Sequence, residues 1–376
     1  MTGRIAVDVA IIGGGTAGCA AALNLAERGL SVALFERQTA GSQSSGINFG
    51  GVRQHGRDLR ELPLSRRSRE IWDRLPALIG NDCEFAPTGH LKLALDEAEM
   101  ATLERFAEGA GAFGLEIELL GRNALRQRFP WLGDTVIGAS FCPSDGQANP
   151  RLVAPWFAHA ARAAGARIHE HEAVIWATRN GDGFRLETES GTSIRSALLL
   201  NVAGAWADRV AGWFGESVPL DPQAPNMQVS EPLPYRLKVN VGAVGGGFYA
   251  RQIPRGNLIF GGGRGWSDRD AIRARPVTTS TRDAMARLTE IIPWAASAQV
   301  IRTWSGIEGF MPDGIPVIGP SSTTPGLIHA FGFSGHGFQL GPVVGKILAE
   351  LAIDGRSSIS LDSFAIQRFK YPSRTV

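Results

Sequence analysis

Cysteine is scarce: Cys19, Cys83 and Cys142 are the only three. So few, so scattered, they exclude a disulfide framework and a cysteine-rich zinc site, and they fit a reducing cytoplasm. An excess of charge of one sign is lacking too. Lys plus Arg is 38 and Asp plus Glu is 36, a formal net charge of +2, with no basic run. A chain that binds nucleic acid carries a basic excess or patch, so that class is excluded. Lysine is almost missing: apart from Lys92, Lys238, Lys346 and Lys370, the positive charge is all Arg. No apolar run is long enough for a membrane. The longest uncharged apolar stretch, Val9 to Leu23, is broken by Gly13, Gly14, Gly15 and Gly18 and is too short to span. It has neither a basic leader nor a cleavage site, so no signal peptide is expected. Internal repeats and low-complexity segments are absent as well.

What the chain has is glycine, 47 of 376 residues, against about 7% in ordinary proteins. The glycines are clustered. The length suggests about two domains.

Val7 to Ile12 reads as a buried strand, Gly13 to Gly18 as a turn, and Cys19 to Arg28 as a helix. Ser31 to Phe35 is a second buried strand, which completes a βαβ unit with parallel strands. Gly41 to Gly51 is a loop. Helices are expected around Leu64 to Leu75, Asp96 to Ala112 (capped by Asp96 with Glu99 three residues on), Leu152 to Ala164 and Thr279 to Ile292. Gly89 to Leu95, Phe184 to Glu189, Ile194 to Val202 and Ile328 to Phe331 read as strands, and Val239 to Phe260 as several. The proline-rich stretch Pro219 to Pro234 reads as a crossing between subdomains. Gly332 to Gly341 reads as a glycine loop before a last helix, Val343 to Ala352. The βαβ start, the antiparallel middle and the strand–loop–helix end predict an α/β fold, α+β overall. The expectation is a Rossmann-like domain (residues 1–75, 145–218 and 305–376), which the glycine motifs below make FAD-binding, interrupted by an antiparallel-sheet substrate domain (76–144 and 219–304).

Gly13-Gly14-Gly15-Thr16-Ala17-Gly18 fits G-x-G-x-x-G. It follows a strand and opens a helix, and Glu36 ends the next strand, which makes it a dinucleotide fingerprint. Gly13 permits the tight turn. Gly15 admits a pyrophosphate to the positive end of the helix, and Gly18 allows helix and strand to approach. Glu36 accepts from a free ribose hydroxyl and repels a 2′-phosphate, so the ligand is FAD or NAD rather than NADP. A second glycine loop, Gln43 to Gly51, suits the longer FAD. A third, Gly332 to Gln339, opens a helix whose N–H groups would face the flavin pyrimidine. Gly261-Gly262-Gly263 reads as a strand-end turn.

These motifs give the chain a family resemblance. With Asn201 to Trp206, Trp304 to Glu308 and Pro312 to Gly319, they make it similar over essentially its whole length to the D-amino-acid oxidase family of flavoproteins. The resemblance is to the glycine oxidase and sarcosine oxidase branch, and most of all to flavin subunits of the opine oxidase and D-hydroxyproline dehydrogenase type. By that resemblance Glu36 and Arg37 would hold the adenosine and Val174 the adenine. Ser44, Ser45, Phe49, Gly50 and Gly51 would line the pyrophosphate and flavin. Ala203, Gly204, Trp206 and Gly306 would border the cofactor, and Gly335, His336, Gly337, Phe338 and Gln339 its pyrimidine side. Substrate would lie under a sheet bearing Tyr249 and Arg251.

The departures from the family pattern matter. Some relatives attach the flavin to a cysteine in the segment matching Trp304 to Asp313; the last cysteine here is Cys142, so non-covalent FAD is expected. Relatives bind the substrate carboxylate with Lys where Gln339 stands or Arg where Glu308 stands. With both cations missing, Arg53 and Arg251 are the carboxylate candidates, while Glu308 would receive a cationic group. Some oxidases carry a lysine on the strand matching Asn257 to Gly261, and its absence favours a dehydrogenase. Each residue also has a plainer reading. Arg53 falls among Arg57, Arg60, Arg66, Arg67 and Arg69 as a solvated face, Tyr249 is a core aromatic, Glu308 pairs with Arg302 or another Arg, and His169 and His171 are surface residues without a third metal ligand.

The expected reaction is FAD-dependent oxidation of a C–N bond in an amino acid or N-substituted amino acid (a D-amino acid, an imino acid or an opine) by hydride transfer to flavin. Arg53, Tyr249, Arg251, Glu308 and His336 are the substrate-side residues, with no dedicated catalytic acid or base and no metal. The alternative is a flavin-bearing subunit of a multi-subunit amine dehydrogenase that passes electrons to an iron–sulfur partner. Electron-transfer subunits and a homo-oligomer both remain open as partners.

Overall fold

The computed structural model describes residues 4–369; the ends of the first and last expected segments, Lys370 included, lie outside the described residues. Two eight-stranded sheets organise the chain. At the centre of the first lies Arg4–Ile12, parallel to Val32–Phe35 on one side and to Ser193–Asn201 on the other. The residues Val9, Ala10 and Ile11 are fully buried, as a strand covered on both faces requires. Arg167–His169 extends one edge and Leu327–Phe331 the other, both parallel, and Val317–Pro320 closes it antiparallel. A hairpin, Val174–Asn180 with Gly183–Thr188, joins the free half of Ser193–Asn201.

Helices Thr16–Glu27, Pro150–Ala163 and Gly337–Asp354 cover one face through a common apolar core. The first and last of these touch closely. A Cβ built on Gly345 would come 2.4 Å from that of Ala20, and one on Gly341 would come 2.7 Å from Thr16 Cγ2. Among the described residues no helix is long and apolar enough to cross a membrane.

The second sheet runs Val300–Ser305, Pro225–Pro232, Asn257–Arg264, Tyr249–Gln252, Asn240–Ala243, His90–Ala94, Gly138–Cys142, Glu118–Gly121. It is antiparallel except for one parallel pair, Asn240–Ala243 with His90–Ala94. Helix Thr278–Ile291 packs on strand Asn257–Arg264, and its Leu288 and Ile291 share one apolar core with Leu258 and Phe260.

Four expectations are corrected. The stretch Pro219 to Pro234 is not a bare crossing: Asp221–Gln223 and Pro225–Pro232 are strands, and the second pairs on both sides. Its prolines stand at its two ends, where a missing N–H costs least. Gly261 to Gly263 is no turn but part of strand Asn257–Arg264; a Cβ on Gly261 would strike Asn226 O at 2.4 Å. The last helix starts at Gly337, not Val343, because its early glycines serve close packing rather than a loop. His169, read as a surface residue, is half-buried and stacks on Phe35 with ring centres 4.9 Å apart.

Glu216 ties the segment after helix Ala207–Gly212 to the edge of the first sheet. Its carboxylate accepts from Ser321 Oγ (2.6 Å), Ser322 N (2.7 Å), Ser322 Oγ (2.7 Å) and His329 Nε2 (2.8 Å). Asn201 Nδ2 donates to His329 Nδ1 at 3.1 Å, which leaves Nε2 as the donor to Glu216. Burial pushes the Glu216 carboxyl up, but these hydrogen bonds outweigh it and hold it at about 2. A depressed carboxyl stabilises the fold at pH values above its ordinary 4.5, and that stabilisation is lost as pH falls toward 2. Glu216→Gln is expected to cost about 1.5–3 kcal/mol at pH 7, lowering Tm by several degrees. The deficit should shrink as pH falls from 4.5 toward 2, because the unfolded wild-type chain protonates Glu216 there while the folded one resists. Thermal melts across pH 3–7 check this; a deficit that does not vary with pH refutes the charge argument.

Candidate functional site

One cavity of about 660 Å³ runs between the two sheets, from Glu36 and Val174 at one end to Tyr249, Lys92 and Glu308 at the other. Its first wall is the turn after strand Arg4–Ile12. Gly13 has φ +112°, and a Cβ there would lie 2.3 Å from Val202 O. A Cβ on Gly18 would lie 2.1 Å from Gly13 O, so both glycines are demanded by backbone contact. Gly15 differs: a Cβ would meet only Ser45 Oγ at 3.0 Å, and the space beside it belongs to the cavity. Helix Thr16–Glu27 starts there without a side-chain cap or an acidic residue in its first turn. Thr16 N donates to Ser45 Oγ at 3.0 Å, while the buried Thr16 Oγ1 has no partner. An uncapped helix start with an orphaned hydroxyl fits a phosphate group.

Glu36 accepts from Gly14 N (2.7 Å) and Gln38 N (2.9 Å), which fixes its carboxylate at the cavity wall. Arg37 lies over the Trp206 ring at 4.3 Å, and both line the same end with Val174, Ala203 and Gly204. The short helix Ser44–Ile47 continues the wall. Ser44 Oγ donates to Ile307 O at 2.8 Å, and Phe49 and Gly51 follow.

At the far end Gly335, His336, Gly337 and Phe338 enter the wall at the start of helix Gly337–Asp354. Two carboxylates hold this loop. Glu308 accepts from Gly335 N at 2.9 Å, and the fully buried Glu61 meets His336 Nδ1 at 2.7 Å. Burial pushes both carboxyls up to about 7. Burial, with the neighbouring Arg57, Arg53 and Lys92, holds the His336 imidazole well below its ordinary value. Tyr249 lines the cavity with its ring edge-on to Phe49, centres 4.9 Å apart, and its hydroxyl 3.4 Å from Asn226 O. Arg53 lines it as well, from the loop before helix Leu62–Trp72, not from a solvated helix face.

Four residues singled out from the sequence lie outside the wall. Arg251 is buried behind Phe49, 5.6 Å from its ring, and donates to Gln147 Oε1 at 3.3 Å. Gly50 packs on that same guanidinium, and Gly306 sits under Ile47. Gln339 is buried and donates to Ser65 O at 2.8 Å. Glu308 has no Arg partner within ion-pair distance among the described residues, and Arg302 is exposed.

Sequence reasoning missed Lys92, His90, Arg57 and Glu61. Strand His90–Ala94 alternates, with Leu91 and Leu93 in the core and His90 and Lys92 on the cavity side. That period-two signal was present, but a polar strand face points to water as readily as to a cavity. Lys92 also removes the argument drawn from the lysine-free strand: the cavity holds a lysine after all, supplied by another strand. His55, His90 and Asp145 lie within 4.8 Å of one another. They already serve each other: His55 Nε2 meets Ser140 Oγ at 2.7 Å, His90 Nδ1 meets His55 Nδ1 at 3.3 Å, and Asp145 accepts from Gln54 N and His55 N. With Arg53, Arg57 and Lys92 around them, a metal cation would be repelled.

A family model described as "FAD dependent oxidoreductase" matches residues 8–351, and the chain belongs to that family. It is 29% identical to glycine oxidase of Geobacillus kaustophilus over 374 residues, covering 96% of this chain and 97% of the relative. It is 26% identical to one subunit of the opine oxidase of Rhizobium meliloti over 378 residues, covering 96% and 98%. The solved structure of L-proline dehydrogenase from P. horikoshii superposes with TM-score 0.90 at 28% identity, covering 98% of this chain and 99% of that one. The cofactor is therefore FAD, and the cavity suits it: long, with a phosphate seat in the middle and a ribose-type carboxylate at one end. The three cysteines are buried and none is in the wall.

Gly15→Val should fold but lose flavin, because its side chain enters the cavity rather than the backbone. Gly18→Val should lose stability instead, since its Cβ has no room against Gly13 O. Circular dichroism with the 450 nm to 280 nm absorbance ratio separates the two. A folded Gly15→Val protein with full flavin content would overturn the phosphate-seat assignment. Acid precipitation should leave the flavin in the supernatant.

Proposed function

We propose that the chain oxidises the C–N bond of an amino acid or N-substituted amino acid to the imine. The supporting observation is the far end of the cavity, where Arg53, Tyr249, Glu308 and His336 converge beside the loop that opens helix Gly337–Asp354. FAD supplies the two-electron acceptor when bound. The protein's part is to hold the amino acid, keep its nitrogen neutral and exclude water. Arg53 is the carboxylate ligand, since a guanidinium grips a carboxylate with two parallel bonds. Arg57 and Lys92 nearby oppose an ammonium. With Glu308 pushed up to about 7 by burial, the cavity offers little fixed negative charge to stabilise one. The amine therefore binds with its lone pair free, and Glu308 or His336 Nε2 accepts its N–H. The relatives named glycine oxidase, L-proline dehydrogenase and opine oxidase support this class of substrate.

The second reading is a flavin-bearing subunit that hands electrons to a partner protein. It is favoured by the opine oxidase relative, which is named as one subunit of its enzyme. The three buried cysteines cannot make a cluster site, so the iron–sulfur centre would belong to the partner.

Anaerobic addition of glycine, N-methylglycine, proline and an opine should bleach the 450 nm band for at least one of them without NAD(P)H. Failure of every amine overturns the reading. Arg53→Ala should lower kcat/KM about ten- to a hundredfold with flavin retained, the loss of one charge-assisted contact. Arg53→Lys should recover part of it. Arg251→Ala should act on stability and flavin content instead, and an unchanged kcat/KM in Arg53→Ala rules out the carboxylate role.

A further inference from the structure

The cavity end holds more positive charge than one carboxylate needs. Arg53, Arg57 and Lys92 all line it. They are close together: a Cβ built on Gly56 would lie 2.9 Å from Lys92 Nζ and 3.3 Å from Arg53 Nη1, and Arg57 Nε donates to Arg53 O at 2.9 Å. Among the described residues no carboxylate lies within ion-pair distance of any of the three. Lys92 has no hydrogen-bond acceptor, Arg53 has only the carbonyl of His55, and Arg57 Nη1 is buried with no partner. The nearby acids are turned elsewhere. Glu61 gives Oε2 to His336 while its buried Oε1 meets no donor, Glu308 accepts from Gly335, and both oxygens of Asp145 accept backbone N–H groups. Arg57 is buried and Arg53 and Lys92 are half-buried; cations held away from water without a partner are destabilising unless a ligand neutralises them.

The wall beside Lys92 is bare. Gly242 stands opposite it in register, and Ala243, Gly245, Gly246 and Gly247 carry the lining on to an exposed turn. There is room next to the cations for a second group, on a path that leads outward.

We propose that Lys92 and Arg57 form a second anion subsite, so that the substrate is a dicarboxylic amino or imino acid: Arg53 takes the carboxylate next to the reacting carbon, and Lys92 with Arg57 takes the other, carried by the side chain or the N-substituent. This rests on the C–N oxidation reading for its reaction but not for its geometry. Burial and the two arginines push the Lys92 amine down to about 7, and a bound anion would restore its charge.

The test uses the flavin-loaded enzyme and non-oxidisable acids of matched length: malonate, succinate and glutarate against propionate, butyrate and valerate. Their Kd values are read from the shift in the flavin spectrum. The best dicarboxylate should bind at least about tenfold tighter than its monocarboxylate counterpart, the worth of one charge-assisted contact. Lys92→Met should reduce that ratio to near one, and Lys92→Arg should retain it. Arg57→Met should act in the same direction; if it fails to fold, the Lys92 pair decides alone. Equal affinities in the wild type, or a Lys92→Met protein that keeps the wild-type ratio, overturns the subsite. A dicarboxylate preference with no bleaching by any amine supports the subsite and removes the reaction reading. Bleaching without that preference does the reverse.

Discussion

The close crossing of two helices sets everything else. Helix Gly337–Asp354 lies on helix Thr16–Glu27 with no Cβ at Gly341 or Gly345, so its backbone comes up against Thr16 and Ala20. Side chains at those two positions would push the helices apart. Because they touch, two helix starts from opposite ends of the chain, one at Gly15 and one at His336, open onto the same cavity. The partial positive charge at each lies at the wall of that one cavity and favours an anionic ligand there. The rest of the architecture serves that juxtaposition. The parallel sheet carries the first helix start, its outer strands carry the second, and the other sheet closes the far side.

Low dielectric then does the electrostatic tuning. Glu61 and Glu308 are both pushed up to about 7 by burial, and Lys92 is pushed down to about 7. A group at such a value changes its charge at little cost when a ligand arrives, so the cavity end can adapt to an incoming carboxylate and a neutral amine. The same burial makes Glu216 different, because four donors face its carboxylate and outweigh desolvation. Burial alone does not set the direction of a shift; the balance of desolvation against hydrogen bonds and charges that favour the ionised form does.

Arg53 and Arg251 show how similar residues part company. Both are arginines beside the second glycine loop, and both are candidates for the same carboxylate on sequence grounds. Arg53 reaches the cavity, while Arg251 lies behind Phe49 with Gly50 pressed on its guanidinium. The difference is one of layer, and no spacing in the sequence records it.

The fingerprint Gly13 to Gly18 with Glu36, the three glycine loops and the family resemblance were legible from the chain alone. Each is a local pattern whose chemistry follows from backbone freedom and a nearby acid. So was the capping of helix Glu97–Gly111 by Asp96, which accepts from Glu99 N at 2.8 Å. What the chain did not reveal was where polar faces point. His90 and Lys92 read only as members of a strand, because solvent and a cavity leave the same alternation there; Arg57 read as part of a solvated face, and Pro219 to Pro234 as a crossing, because its prolines mask the strand between them. The resemblance had grouped Arg53, Tyr249, Glu308 and His336; only the tertiary structure decided that Arg57, Glu61, His90 and Lys92 join them and that Arg251 does not. Their meeting depends on contacts between segments far apart in sequence, and local propensity carries no information about those.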